Sequence, residues 1–350
     1  MNSWLTTGIT AGVAIGVLIK RARKQQEPQW SFGFGSNMSV KFVEEKKGHK
    51  VLDHAAGVVH GWKMEFNLKG MPLVEPAFAN AMPGAASDNI HGVAILLGPE
   101  DVRKLSAQER GYEKKWVTVE CYDKRRVQAF IFSRTKPGSK AFATPEEQTP
   151  SQRYLNILLQ GAKSAGLDAD YIKKLGQTKT YHPSHALIEL RRKLPLPSTL
   201  PRMSVEELAA TKQQSVDVNQ PTTDVAIFGN QRFPAVYVAI FGYVLKLKSK
   251  DVWFGSHRGR DLTARFSRHF RGISMDTNDD LGKPPFLKLE HMSDGEMEYI
   301  MMWLDFYLAK QDPAPEIVGY LTEYIETIDF YPQLKVICDA AAAKVAAAKL

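Results

Sequence analysis

The chain of 350 residues is 44% hydrophobic and 24% charged, which makes it globular and long enough for two cores of ordinary size rather than one unusually large domain. Its net charge of +8 is spread along the sequence with no basic stripe of interleaved aromatics, so nucleic acid is not an expected partner. The 2 cysteines, Cys121 and Cys338, make neither a metal spacing nor a disulfide framework, and a reducing compartment is the simplest inference.

Residues 4–19 (WLTTGITAGVAIGVLI) carry no charge and run directly into Lys20, Arg21, Ala22, Arg23 and Lys24. A membrane span needs at least about 17 residues, so this run is near the lower limit. Positive charge lies only behind it, as in a signal anchor and unlike a cleaved signal peptide. Residues 1–24 therefore predict an N-terminal membrane helix, with the rest of the chain in the cytosol. A buried helix of a soluble core is the alternative.

From residue 29 to about 178 the pattern is strands broken by turns, closing with helices. Trp30, Phe32 and Phe34 alternate with small residues until Gly35, Ser36 and Asn37 break the strand and turn its N–H groups outward. Such amides suit a carboxylate or a developing oxyanion, and Gly35, lacking a Cβ, allows close approach. An ordinary strand-to-turn junction is the plainer reading. Pro99 begins a short helix, and residues 117–122 and 127–132 predict a hairpin across a charged turn. Thr149, Pro150 and Gln152 offer a capping box with proline at the first helical position. Tyr154, Ile157, Leu158, Gly161 and Ala165 then share one helical face, and Gly166 stops the helix. Residues 179–202, with Pro195, Pro197 and Pro201, predict a linker wrapped on a surface.

A second unit begins where Ser204 and Glu207 form another capping box. Residues 237–247 predict two strands turning at Gly242, and residues 297–308 a helix. The end of the chain, 323–350, is an Ala/Lys-rich tail with little apolar surface. Its last residues, Ala348, Lys349 and Leu350, nearly match the Ser-Lys-Leu peroxisomal address.

Read together, FGFGSNM (32–38), GWKMEFN (61–67), ANAMP (79–83), GVAIL (92–96), LSAQERGY (105–112), PSQRY (150–154) and GAKSAGL (161–167) resemble the gamma-glutamylcyclotransferase family in order and spacing. No single piece is specific; the ordered set, covering roughly residues 30–178, is. The resemblance implies an α+β fold, a mixed β-barrel with helices. It also implies a substrate loop of Phe34, Gly35, Ser36, Asn37 and Met38, with Glu109 as the catalytic residue.

The chemistry needs few parts. The α-amine of a γ-glutamyl compound attacks its own γ-carbonyl, closing a five-membered ring (5-oxoproline) and expelling the attached amine, so the substrate supplies its own proximity. The Gly35, Ser36 and Asn37 amides would hold the α-carboxylate and the oxyanion, and one carboxylate of raised pKa would shuttle the proton. Glu109 is the candidate and Glu113 its nearest rival. The plainer reading of Glu109 is a surface glutamate in a charged turn beside Glu100, Arg103, Arg110 and Glu113. Where the family commonly has a tyrosine after the hairpin turn, this chain has Phe130, which puts substrate choice in question more than the reaction. No cofactor is expected for catalysis.

In the second unit, the order of residues 237–247, GRDLTARF (259–266), the 297–308 helix with Trp303, and Ile317, Val318 and Gly319 resembles the membrane-associated progesterone receptor family. That branch of cytochrome-b5-like domains implies a smaller α+β domain over roughly residues 203–322, binding haem through a tyrosine. Here the corresponding loop, WFGSHR (253–258), holds no tyrosine, and the His-Pro-Gly-Gly motif of cytochrome b5 is missing. His257, with His269 nearby, is the remaining haem-ligand candidate. A solvated loop histidine in a haem-free domain that docks a protein or sterol is the plainer reading, with Met301, Met302 and Trp303 as helix core.

Two functions follow. One is a membrane-anchored cyclotransferase on the endoplasmic reticulum or mitochondrial outer membrane, facing the cytosol. The other is an anchored scaffold whose first domain is inactive. Retention of both the Gly-Ser-Asn loop and Glu109 favours the enzyme.

Overall fold

A computed structural model describes residues 27–109, 111–134, 148–211, 225–228, 231–247, 257–272, 292–310, 314–327, 334–336, 339–340 and 343. The expected membrane segment at 4–19, residues 253–256 and the C-terminal tripeptide lie outside these residues. Among the described residues no helix is long and apolar enough to cross a membrane.

The first unit runs β1 (Gln29–Gly33), a 3-10 turn (Ser36–Met38), α1 (Val40–Glu45), β2 (Val51–His60), β3 (Trp62–Met71), β4 (Glu75–Pro83), β5 (Asn89–Leu97), α2 (Pro99–Gln108), β6 (Glu113–Cys121) and β7 (Arg126–Ser133). The order β1-β5-β2-β6-β7 closes into a barrel because β1 pairs antiparallel with β5 and parallel with β7. Alternation with a period of two aims Ala55, Gly57 and Val59 of β2 and Val117, Val119 and Cys121 of β6 into the buried side. The expected α+β mixed barrel is therefore present, as is the hairpin of β6 and β7. Pro99 occupies the first turn of α2, as its fixed φ favours.

Strands β3 and β4 pair only with each other and leave the barrel as a separate ribbon. Its tip buries Leu73 and Val74 in the core of the second unit. Next come α3 (Gln152–Ser164) and α4 (Ala169–Gly176). Ser151, rather than Thr149, caps α3: its Oγ accepts the Tyr154 amide at 3.0 Å, which leaves Pro150 just outside the helix. Gly166, at φ +65°, ends the segment as expected.

The stretch expected to wrap a surface as a linker instead carries α5 (His185–Arg192), capped by Ser184. Leu187 enters the second core, and Arg191, 3% exposed, is held by Asp305 and Glu298. The three prolines lie beyond the helix, so they do not interrupt it.

The second unit contains β8 (Arg202–Met203), α6 (Val205–Ala210), β9 (Val225–Phe228), β10 (Gln231–Pro234), β11 (Val236–Ile240), β12 (Tyr243–Leu247), β13 (Arg260–Asp261), α7 (Thr263–Phe270), α8 (Asp294–Ala309), β14 (Glu316–Leu321) and α9 (Thr322–Thr327). A mixed sheet in the order β13-β11-β12-β14-β8 forms its frame, while β9 and β10 pair separately. The Ser204/Glu207 capping box and the turn at Gly242 (φ +82°) are both present. Helix α8 is buried on nearly every side; Met301, Met302 and Trp303 are core residues, with Trp303 stacked on Phe266 at 4.3 Å. Arg153 of α3 joins the units: it pairs with Glu75 and donates from Nη2 to the His269 carbonyl at 2.7 Å.

Candidate active site

The loop after β1 is shaped by two close approaches. A Cβ on Gly33 would lie 2.5 Å from the Asn37 carbonyl oxygen, so only glycine lets the chain fold back over this point. A Cβ on Gly161 would lie 3.3 Å from the Met38 Cβ, so the bare helix face of α3 seats the turn. Phe34 and Met38, 8% and 1% exposed, anchor the loop from below. The Met38 amide closes the turn on the Gly35 carbonyl at 3.0 Å, which leaves Ser36 and Asn37 at its open N-terminal end. A Cβ on Gly35 would meet the Tyr154 hydroxyl at 3.6 Å, an ordinary contact, so this position is open toward that phenol.

Glu109 caps the C-terminus of α2, and its Oε1 accepts two hydrogen bonds, from Asn37 Nδ2 at 3.1 Å and Lys47 Nζ at 2.9 Å. The two segments singled out in the sequence, 72 residues apart, thus meet side chain to side chain. Glu113 faces solvent at the start of β6, its side chain 54% exposed and paired with Lys115. Geometry therefore separates the two rivals. Lys47 carried no recognisable sequence signal; it reaches Glu109 because the turn after α1 is tied to α2. His49, 2% exposed, bridges Asp101 (3.4 Å) and Gln108 (3.0 Å) of that helix.

Two phenols stand near. Burial pushes Tyr154 well above the ordinary tyrosine range, and its hydroxyl accepts the Ala79 amide at 3.4 Å. Burial also raises Tyr112, with the Glu109 charge adding to it. Both therefore stay protonated near neutral pH and act as donors, not bases. The Oδ1 of Asn37 is buried without a hydrogen-bond partner, an acceptor left open beside Glu109. A cavity of about 940 Å³ adjoins the turn, walled by Ser36, Met38, Phe42, Phe78, Tyr154 and, from the second unit, Arg271. Glu109 is not among its walls.

Phe130 is fully buried but sits in an aromatic row, 5.4 Å from Phe132 and 5.9 Å from Trp116, with Lys114 Nζ 4.2 Å from its ring centroid. It approaches the acid only through Phe132 and Tyr112, whose rings lie 6.5 Å apart. The structure thus groups Gly35, Ser36, Asn37 and Glu109, and sets Phe130 behind them.

His257 is not the solvated loop histidine expected: it is 2% exposed, with Nδ1 2.8 Å from the Tyr307 hydroxyl and its ring 6.2 Å from Phe266. That packing builds the ring into the core and does not suit an iron ligand. Burial, helped by the charges of Arg265 and Arg260, pushes its pKa down to about 4. The unfolded chain holds this histidine near 6.5. The stability it contributes is thus present above pH 6.5 and is lost as pH falls toward 4. Unfolding free energy should drop by about 1–3 kcal/mol through this group over that window, allowing for its residual solvation. Denaturant unfolding of His257→Gln should show a flatter acid limb; an unchanged limb would disprove the linkage.

Comparison with known proteins places this arrangement beside a defined group. The model of the AIG2-like family matches residues 89–175. The gamma-glutamyl cyclotransferase gliK of Aspergillus fumigatus is 28% identical over 185 residues, covering 45% of this chain and 65% of that protein. The gamma-glutamyl cyclotransferase aclK of Aspergillus oryzae is 26% identical over 174 residues, covering 45% of this chain and 62% of its own length. The chain thus spans slightly less than two thirds of these curated relatives. A solved gamma-glutamyl cyclotransferase superposes with a TM-score of 0.39 at 18% identity, covering 48% of this chain and 99% of that one. A yeast gamma-glutamyl cyclotransferase specific to glutathione gives a TM-score of 0.33 at 16% identity, covering 45% and 99%. None of these is a cytochrome-b5-like protein.

Proposed function

We propose that this chain is a gamma-glutamyl cyclotransferase-type enzyme that converts γ-glutamyl peptides or amines to 5-oxoproline and the released amine, with Glu109 as general acid and base. The observation that carries this reading is the 3.1 Å hydrogen bond from Asn37 Nδ2 to Glu109 Oε1, which puts a proton carrier at the edge of the Gly-Ser-Asn loop. Similarity to the two fungal cyclotransferases, and a family match whose residues 89–175 include Glu109, support it.

The protons balance through one carboxylate. The attacking nitrogen begins as an ammonium and ends as a lactam N–H, giving up two protons. The leaving nitrogen begins as an amide N–H and ends as an ammonium, gaining two. A C–N bond forms at the γ-carbonyl carbon as the bond to the departing amine breaks, and Glu109 accepts and returns each proton in turn. The amides of residues 35–37 face the oxyanion, with the Tyr154 hydroxyl behind them. The amine portion of a substrate held there would extend past Ser36 into the adjoining cavity. Attachment to a cytosol-facing membrane belongs to the same proposal, supported by the uncharged run at 4–19 and the basic block after it.

Nothing in this sequence of bonds calls for a metal, nucleotide or haem. The purified chain, given a panel of γ-glutamyl dipeptides and amines, should therefore release 5-oxoproline equally with and without chelator. Loss of activity on chelation would contradict the scheme, and no 5-oxoproline from any compound would refute the reading itself.

A further inference from the structure

We infer that Lys47 binds the substrate's α-carboxylate and so restricts the site to γ-glutamyl compounds whose α-amino and α-carboxylate groups are both free. The inference rests on the cyclotransferase reading above.

Around Oε1 of Glu109 the structure gathers three different functions: a cation (Lys47 Nζ, 2.9 Å), an amide donor (Asn37 Nδ2, 3.1 Å), and, on that same amide, the buried acceptor Oδ1 with no partner. An α-amino acid head carries an ammonium and a carboxylate on one carbon, and the site presents the complement of each. The ammonium has three donors to place, and Glu109 and Asn37 Oδ1 are acceptors for it; the carboxylate needs a cation, and Lys47 is beside the acid. Without substrate, Lys47 and Glu109 satisfy one another. When a zwitterion enters, one ion pair becomes two, net charge stays constant, and no charge is left unpaired in a partly dry site. Both side chains remain 19% exposed, enough for this exchange and too little for bulk water to screen it fully.

The placement of Lys47 is also built rather than incidental. Its backbone N–H bonds the Phe42 carbonyl at 3.2 Å, and its carbonyl accepts from Gln108 Nε2 at 3.5 Å. Gln108 is the residue before Glu109, so the turn that carries the cation is fixed to the helix that carries the acid. The lysine stem is flexible and its charge a point, so the ammonium can swing from Glu109 to an incoming carboxylate without moving the backbone. This assignment frees the amides of residues 35–37 for the γ-carbonyl oxyanion alone.

The test compares the full chain with Lys47→Met, which keeps the stem and removes the charge. The substrates are γ-glutamylalanine and its counterpart with an α-carboxamide in place of the α-carboxylate, followed as 5-oxoproline or its amide. The parent should favour the free carboxylate. In Lys47→Met, KM for the free carboxylate should rise about 10- to 100-fold with kcat within about threefold, while the carboxamide shifts by less than about threefold in either constant. Discrimination between the two then collapses. Equal losses on both substrates would show that Lys47 acts through Glu109 and overturn the assignment, as would an unaltered KM. A parent inactive on every γ-glutamyl compound would sink the cyclotransferase reading, and this assignment with it. A parent that is active but indifferent to the carboxamide sinks this assignment alone.

Discussion

Glu109→Gln lowers turnover by about 10²-fold or more while leaving KM near the parent value. Glutamine matches glutamate in size and its amide oxygen can still accept from Asn37 Nδ2, now at 3.1 Å from Oε1, so the loop stays in place. What it cannot do is take a proton from the substrate's ammonium. Burial keeps Tyr154 and Tyr112 protonated, so neither replaces the lost base. Removing the charge also releases Lys47 from its ion pair, which leaves the cation free for a carboxylate and holds KM down. Glu113→Gln is the matched control: its side chain is 54% exposed and paired with Lys115, so turnover should stay near parental. Equal losses in both variants would point to damage in the turn rather than to proton transfer. An unaffected Glu109→Gln would remove the assignment.

The parts of this site that could be read in the sequence are those whose signal is local. A strand pattern that breaks into Gly-Ser-Asn announces a loop, and the proline that begins α2 leads to Glu109 at its far end. The partner of that acid could not be read. Lys47 looks like any residue of the run EEKKGHK, and only the docking of His49 on Asp101 and Gln108 gives it a place. Phe130 shows the opposite case: alignment with a motif suggested a place at the substrate, while the barrel's alternation sends it into an aromatic row. The strands around Gly242 and the helix at 297–308 were legible because hydrophobic period and turn chemistry agree there. Tertiary burial was not, and His257 was taken for a loop residue because nothing nearby in sequence reveals Tyr307 beside it.

Helix α5 was missed for a related reason, and it yields the largest expected effect on stability. The prolines at 195, 197 and 201 suggested an irregular surface segment, yet Leu187, Ile188 and Arg191 lie on one face of a helix packed against α8. Arg191 meets Asp305 through Nε at 3.0 Å and Nη2 at 2.7 Å, with Glu298 at 2.9 Å from Nη2. Burial works against the guanidinium charge, but the Asp305 and Glu298 carboxylates outweigh it and hold the proton more tightly than water does. In Arg191→Ala the Asp305 carboxylate, 1% exposed, is left charged and alone, at a cost of about 3–5 kcal/mol. Glu298, 24% exposed, can turn to water and adds little. Arg191→Lys should recover only part, because an ammonium cannot make the paired contacts of the fork. Replacing both partners, Arg191→Met with Asp305→Leu, removes the orphaned charge and should restore most of the loss. Urea unfolding of these four proteins measures each term. Because Glu109 and the loop belong to the other core, 5-oxoproline release well below the transition should be close to parental in all of them. A single Arg191→Ala loss below about 1 kcal/mol would mean that this fork does not hold α5 to the second unit.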